Sequence, residues 1–178
     1  FIETNTFCII NKEEQTKQMN IKADIIELLS CVSEEFNTLR YWMLPSLMNV
    51  LKNNLHHEYP QNIFEAGRVF KKDDKEETGI KEQIRLAICL CNKDTNYTKI
   101  RQVLDLIFEA INEEIKIEQT THDSFIPGRV GRVSCKDKKI AYIGEIAPEI
   151  LNNFELKMPV AALELNLTEL FDIIKEKV

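Results

Sequence analysis

Asn62 to Lys71 reads NIFEAGRVFK, Lys72 to Thr78 reads KDDKEET, and Glu82 to Asn92 reads EQIRLAICLCN. Two apolar runs of strand length flank a charged stretch that contains no apolar residue, the pattern of two strands joined by a solvated hairpin loop. A second hairpin is expected between Arg129 and Ala147, turning at Lys136-Asp137-Lys138. Around these pairs lie further strand candidates at Thr4–Ile10, Ala23–Leu29, Ile115–Thr121 and Val160–Leu167, and a short polar helix at Lys12–Asn20. Tyr97 to Ile115 places Ile100, Val103, Leu104, Ile107, Phe108 and Ile111 at the 3.6-residue period, which predicts an amphipathic helix. A short helix should follow Pro148, and Thr168 is placed to cap a final one. No regular βαβ spacing demands a parallel sheet. The fold class expected is α+β, a mostly antiparallel sheet flanked by helices.

Ser33-Glu34-Glu35 reads as a helix start, opening a helical stretch to about Leu55, with Pro45 forcing a kink or a restart. On a wheel from Leu39 to Leu55, Leu39, Met43, Leu47 and Val50 form one flank, and Leu44, Met48, Leu51 and Leu55 the other. The apolar arc covers roughly 180°, against a stripe of ~100° for packing on one sheet. Arg40, Trp42, Met43, Leu44, Leu47, Met48 and Leu51 are therefore candidate subunit-interface residues, the alternative being a central helix covered by its own domain. Arg40, inside that arc, needs a partner carboxylate.

The 178 residues correspond to about one domain at ~150 residues each, and no internal repeat or glycine-rich linker divides them, so residues 1–178 are read as a single domain. The start at Phe1 suggests a segment of a longer chain. With 44% hydrophobic residues the chain is not a disordered tail. It has no apolar run of membrane-spanning length and no signal-peptide core. A net charge of −6 argues against a dedicated nucleic-acid surface. Five cysteines (Cys8, Cys31, Cys89, Cys91, Cys135) form an odd, dispersed set, read as free thiols in a reducing, cytoplasmic setting. Cys89 and Cys91 alone make no metal site.

Catalytic motifs are scarce. Five glycines include neither GxxxxGK[ST] nor GxGxxG. His56-His57 read as surface residues, and His122 near Ser124 lacks the nucleophile elbow of a triad. Phe125-Ile126-Pro127-Gly128-Arg129-Val130-Gly131-Arg132 combines a Pro-Gly turn with two arginines. It is either a structural turn (Pro127, Gly128, Arg129) or an anion site using Arg129 and Arg132.

Three ordered segments carry a family resemblance. Ser33-Glu34-Glu35-Phe36-Asn37-Thr38-Leu39-Arg40 runs into Leu44-Pro45-Ser46-Leu47. Ile63-Phe64-Glu65-Ala66-Gly67-Arg68-Val69-Phe70 follows. Last come His122 to Arg129 and Ile143-Gly144-Glu145-Ile146-Ala147-Pro148-Glu149. Together with Tyr97, Lys99 and Glu164-Leu165-Asn166-Leu167, these resemble the C-terminal part of the phenylalanyl-tRNA synthetase β subunit, archaeal type, over about residues 1–167. The chain departs from that pattern at Ser30-Cys31, where Asn-Pro is usual, and at Asp123, where Pro is usual.

The resemblance implies a class II synthetase-like core without its own active site, supporting assembly with the α subunit. The whole enzyme would charge tRNA with phenylalanine using ATP and Mg; this segment would hold no catalytic, cofactor or metal residues. In such a core Glu65 stands where a phosphate-binding arginine would be, and Ala161 to Val178 contains neither Gly nor Arg, so neither ATP clamp is expected. The fragment should dock an α subunit or self-associate. The rival is an independent module that takes an anion at Arg129/Arg132.

Overall fold

The long hairpin is the spine of the architecture in the computed structural model, which describes residues 1–31, 33 and 35–175. β1 (Ile2–Glu3), β4 (Gln61–Lys72), β5 (Ile80–Cys91), β9 (Val160–Asn166), β8 (Lys138–Ile146), β7 (Phe125–Cys135) and β6 (Lys116–Gln119) form a seven-stranded sheet in that spatial order. Only the β1–β4 pair is parallel. β2 (Ile9–Ile10) and β3 (Thr38–Leu39) form a separate two-stranded ribbon. The helices are α1 (Lys12–Gln15), α2 (Leu44–Asn53), α3 (Tyr97–Ala110), α4 (Pro148–Asn153) and α5 (Leu167–Lys175).

Strand alternation gives the sheet two different faces. One carries Ile88, Leu90, Ile143, Leu163 and Leu165 and is covered by Ile100, Leu104 and Phe108 of α3 and by Leu170 and Ile173 of α5. The other carries Ile63, Val69, Ala87, Cys89, Val160 and Ala162 and packs on Leu44, Leu47, Met48 and Leu51 of α2. At the Lys71–Arg85 end of the second face the sheet lines an open cavity.

The helix expected from Ser33 to Leu55 is corrected: it begins at Leu44. Leu39 is strand, paired with Ile9, and Pro45 has no N–H to donate, so it is accommodated only in a first turn. The proposed start at Ser33-Glu34 falls partly outside the described residues. No side chain of the helix's own caps it. Instead the Glu164 carboxylate, from β9, accepts from Met43 N at 2.9 Å and Leu44 N at 3.0 Å. A remote acid thus meets the orphan donors and the positive end of the helix dipole.

Other expectations were trimmed. Ala23–Leu29 forms a single bridge, Glu27 to Thr38, closed by Leu28 N to the Asn37 carbonyl at 2.9 Å and Leu39 N to the Ile26 carbonyl at 3.0 Å. Thr4–Ile10 is strand only at Ile9–Ile10. α5 is capped by Asn166, whose Oδ1 accepts from Glu169 N at 3.2 Å, while Thr168 Oγ1 accepts from Ile84 N at 2.8 Å and ties the helix to β5. Pro127-Gly128 is not a turn between elements. It lies within β7, where the register breaks between Phe125 and Val130 and Gly128 takes φ +79, a bulge suited to glycine.

Candidate functional site

The seven residues proposed for a subunit interface are core. Met43, Leu44, Leu47 and Met48 are 0% exposed, Leu51 1%, Arg40 2% and Trp42 6%. Most of the wide apolar arc is used inside the chain, with Leu55 left 37% exposed: one flank of α2 meets the sheet, and the rest meets Met19, Ile150, Phe154 and Leu156. A central helix covered by its own domain is what the structure contains.

Arg40 has its carboxylate. Nη1 donates to Glu65 Oε1 at 2.8 Å and to Thr6 Oγ1 at 2.9 Å, and Nε to the Arg68 carbonyl at 2.6 Å. Glu65 Oε2 accepts from Thr6 N at 3.2 Å and Thr6 Oγ1 at 2.8 Å. The pair sits over Gly67, where an added Cβ would lie 2.2 Å from Arg40 Nη2. Glu65 therefore does not present a bare charge that would repel a triphosphate; Arg40 neutralises it under the N-terminal arm.

The uncovered end of the second sheet face is a cavity of about 510 Å³, rimmed by residues 21–23 and 121–123. Its floor is built by strand register. Arg85 lies opposite Asn166, Ala87 opposite Glu164, Tyr142 opposite Glu164 and Arg132 opposite Tyr142, so these side chains share one face. Five basic side chains (Lys22, Lys71, Arg85, Arg132, Lys139) line it against three acidic ones (Asp123, Glu164, Glu169). That is a local excess of two positive charges in a chain of net charge −6.

Glu164 accepts from Arg85 Nη1 at 2.7 Å besides capping α2. Arg85 Nη2 reaches Gln83 Oε1 at 3.3 Å, while Arg85 Nε is buried without a hydrogen-bond partner. Arg132 stacks on the Tyr142 ring with Cζ 4.0 Å from the centroid and donates to the Lys139 carbonyl at 3.1 Å. Lys71 Nζ lies 4.7 Å from the Tyr41 ring centroid. Burial, reinforced by Arg85, pulls the Lys71 ammonium down to about 8. Burial also lowers His122, whose Nδ1 accepts from Ser124 N at 3.2 Å. Ser124 is 0% exposed and bonded to the Met19 carbonyl, so His122 and Ser124 form no nucleophile–base pair.

Arg129 and Arg132 do not converge. Arg129 is exposed and pairs with Glu145 at 2.6 Å on the outer side of the bulge. Sequence reading missed Lys71, Arg85 and Glu164. Their signal was a charged residue on the core-facing phase of an otherwise apolar strand, Arg85 in IRLAICLC and Glu164 in VAALELN.

A second surface feature lies at the ribbon. Phe7 is 77% exposed and meets Phe36 edge-on with centroids 5.9 Å apart; Ile9 lies beside them, and together with Cys8 they line an apolar hollow. Burial raises Cys91 to about 11 and Cys89 further, so both buried thiols stay protonated.

The family model described as "Phenylalanyl tRNA synthetase beta chain CLM domain" matches residues 1–167. A phenylalanine–tRNA ligase beta subunit from Pyrococcus abyssi is 42% identical over 170 residues, covering 95% of this chain and 31% of that protein. Its counterpart from Pyrococcus furiosus is 41% identical over the same length and coverage. That from Methanocella arvoryzae is 39% identical over 172 residues, 94% of this chain and 31% of the relative. The chain therefore spans less than a third of the length of these curated relatives. Among solved structures, a pyrrolysyl-tRNA synthetase from Desulfitobacterium hafniense superposes with a TM-score of 0.78 at 18% identity, over 99% of this chain and 63% of that one. A second structure of pyrrolysyl-tRNA synthetase from the same organism gives 0.78 at 20% identity. The architecture is that of a class II synthetase core.

Proposed function

Because the chain belongs to the phenylalanyl-tRNA synthetase β-chain CLM-domain family, we propose that it is a synthetase-like domain that performs no chemistry itself and serves assembly with an α subunit. The whole enzyme would join phenylalanine to tRNA with ATP and Mg in the cytoplasm, and those ligands would be held outside this segment. No helix among the described residues is long and apolar enough to cross a membrane.

The observation that carries the assembly reading is the exposed apolar group at Phe7, Ile9 and Phe36. It is continuous with a ribbon whose other side is locked to the core: Gln15 Nε2 donates to Thr38 Oγ1 at 2.7 Å, and Arg40 N to the Cys8 carbonyl at 2.9 Å. A rigid mount with an apolar outer surface is what a partner subunit would cover. This surface takes over the interface role first sought on α2. In the full-length β chain, Phe7→Asp with Phe36→Asp should weaken capture of the α subunit at least tenfold while the circular-dichroism spectrum is retained. Unchanged capture would refute the assignment of this surface.

The absence of chemistry rests on where the charges of the sheet are committed. Glu164 holds a helix terminus and Arg85, and Glu65 holds Arg40. The sequence from Ala161 to Val178, which includes most of β9 and all of α5, supplies neither a glycine for close phosphate approach nor an arginine. This chain without an α subunit should give no phenylalanine-dependent exchange of pyrophosphate into ATP. Exchange above a no-protein control would overturn the reading.

A further inference from the structure

The open end of the sheet has what a small-anion site requires, and the proposed assembly role does not use it. Three cations line one cavity on one face of the sheet, Lys71 from β4, Arg85 from β5 and Arg132 from β7, with β9 and β8 between the last two. Among the described residues, Arg85 alone of the three has a carboxylate partner, and it shares Glu164 with two backbone donors of α2. Lys71 meets only an aromatic ring, and Arg132 a ring and a carbonyl. Cations held partly out of water without counter-charges are costly unless something anionic joins them.

The acidic lining does not fill that deficit. Glu169 bonds Gln83 at 3.4 Å, and Asp123 stands on the exposed rim. Burial is the main reason that the Lys71 ammonium is depressed; Arg85 and Arg132 lower it as well, while Glu164 and Glu169 raise it. The volume, about 510 Å³, falls in the range of small-molecule sites, roughly 300–1,000 Å³. Tyr142, backed by His122 with ring centroids 4.9 Å apart, gives one flat aromatic wall.

We propose that this cavity binds a small oxyanion, a carboxylate or a phosphate group, held between Arg132 and Lys71 beside the Arg85 guanidinium. Planar guanidinium forks recognise the two oxygens of either group, while the lysine adds a point charge. Binding needs no catalysis and no ATP clamp.

The test is hydrogen–deuterium exchange by mass spectrometry on the assembled enzyme, titrated separately with inorganic phosphate, pyrophosphate, acetate and benzoate. Peptides from 83–87 and 130–134 should gain protection that saturates at millimolar anion. Arg132→Gln and Lys71→Met should each weaken the apparent affinity about tenfold or more. Arg129→Gln, whose guanidinium faces outward, should leave it unchanged. Arg85 is left in place because it anchors Glu164. Protection by phosphates alone assigns a phosphoryl ligand, by acetate or benzoate alone a carboxylate, and by both a general oxyanion site. No protection by any probe, or protection that survives both Arg132→Gln and Lys71→Met, overturns the proposal.

Discussion

Arg40→Ala should lower unfolding stability by about 3–5 kcal/mol, because it strands Glu65 in a site that is 2% exposed. The carboxylate keeps its two bonds from Thr6, but these neutral donors cannot replace a guanidinium that also tied down the Arg68 carbonyl. Replacing both partners, Arg40→Met with Glu65→Leu, should recover most of the loss. Desolvating two charges costs nearly as much as their attraction returns, and the apolar pair removes both sides of that balance. Urea denaturation of the single and double variants measures the coupling. A single-variant loss below about 1 kcal/mol would mean that water reaches the pair, since exposed ion pairs contribute only that much.

Leu44→Asp should abolish the fold. Leu44 is 0% exposed, and its own N–H donates to Glu164. A carboxylate there would enter an apolar core next to an existing one, combining desolvation with like-charge repulsion. The cost should exceed about 4 kcal/mol, in the range where single changes unfold a domain. Leu55→Asp, two residues beyond α2 at 37% exposure, should stay within about 0.5 kcal/mol. Thermal melts followed by far-UV circular dichroism separate the two outcomes. A folded Leu44→Asp protein with a melting point near wild type would show that α2 is not core.

The hairpins, α3 and the central strand were legible because each burden is local. Periods of 2 and 3.6, a charged loop and a Lys-Asp-Lys turn act over a few residues. α2 was misread because its apolar arc is a real property of the sequence, but the wheel cannot say what lies opposite it. The second contact comes from Met19 and from α4 with the residues after it, Ile150 to Leu156, whose approach is tertiary. Its start was misread for a related reason: the acid that receives its first donors is Glu164, 120 residues away. The cationic cavity was invisible because it exists only in register. Nothing in the sequence places Arg85 beside Asn166, or Arg132 beside Tyr142. The Arg129/Arg132 pairing failed because the bulge at Gly128 turns the two arginines to different surroundings.

β9 is the last strand to be made and the fourth of seven in the sheet's order, its middle strand, with Leu163 paired to Ile88 on one side and Ile143 on the other. During synthesis β4–β5 and β6–β7–β8 can each zip from short connections, but they stay two separate half-sheets until residues 160–166 have emerged. Until then β5 and β8 both present bare hydrogen-bonding edges, the form in which nascent chains pair with the wrong partner. One late strand therefore welds the two halves, and in the same step delivers the carboxylate that fastens α2. The β5–β9 pairs join residues about 70 to 80 apart, so this closure is the step expected to carry the largest loop-closure cost.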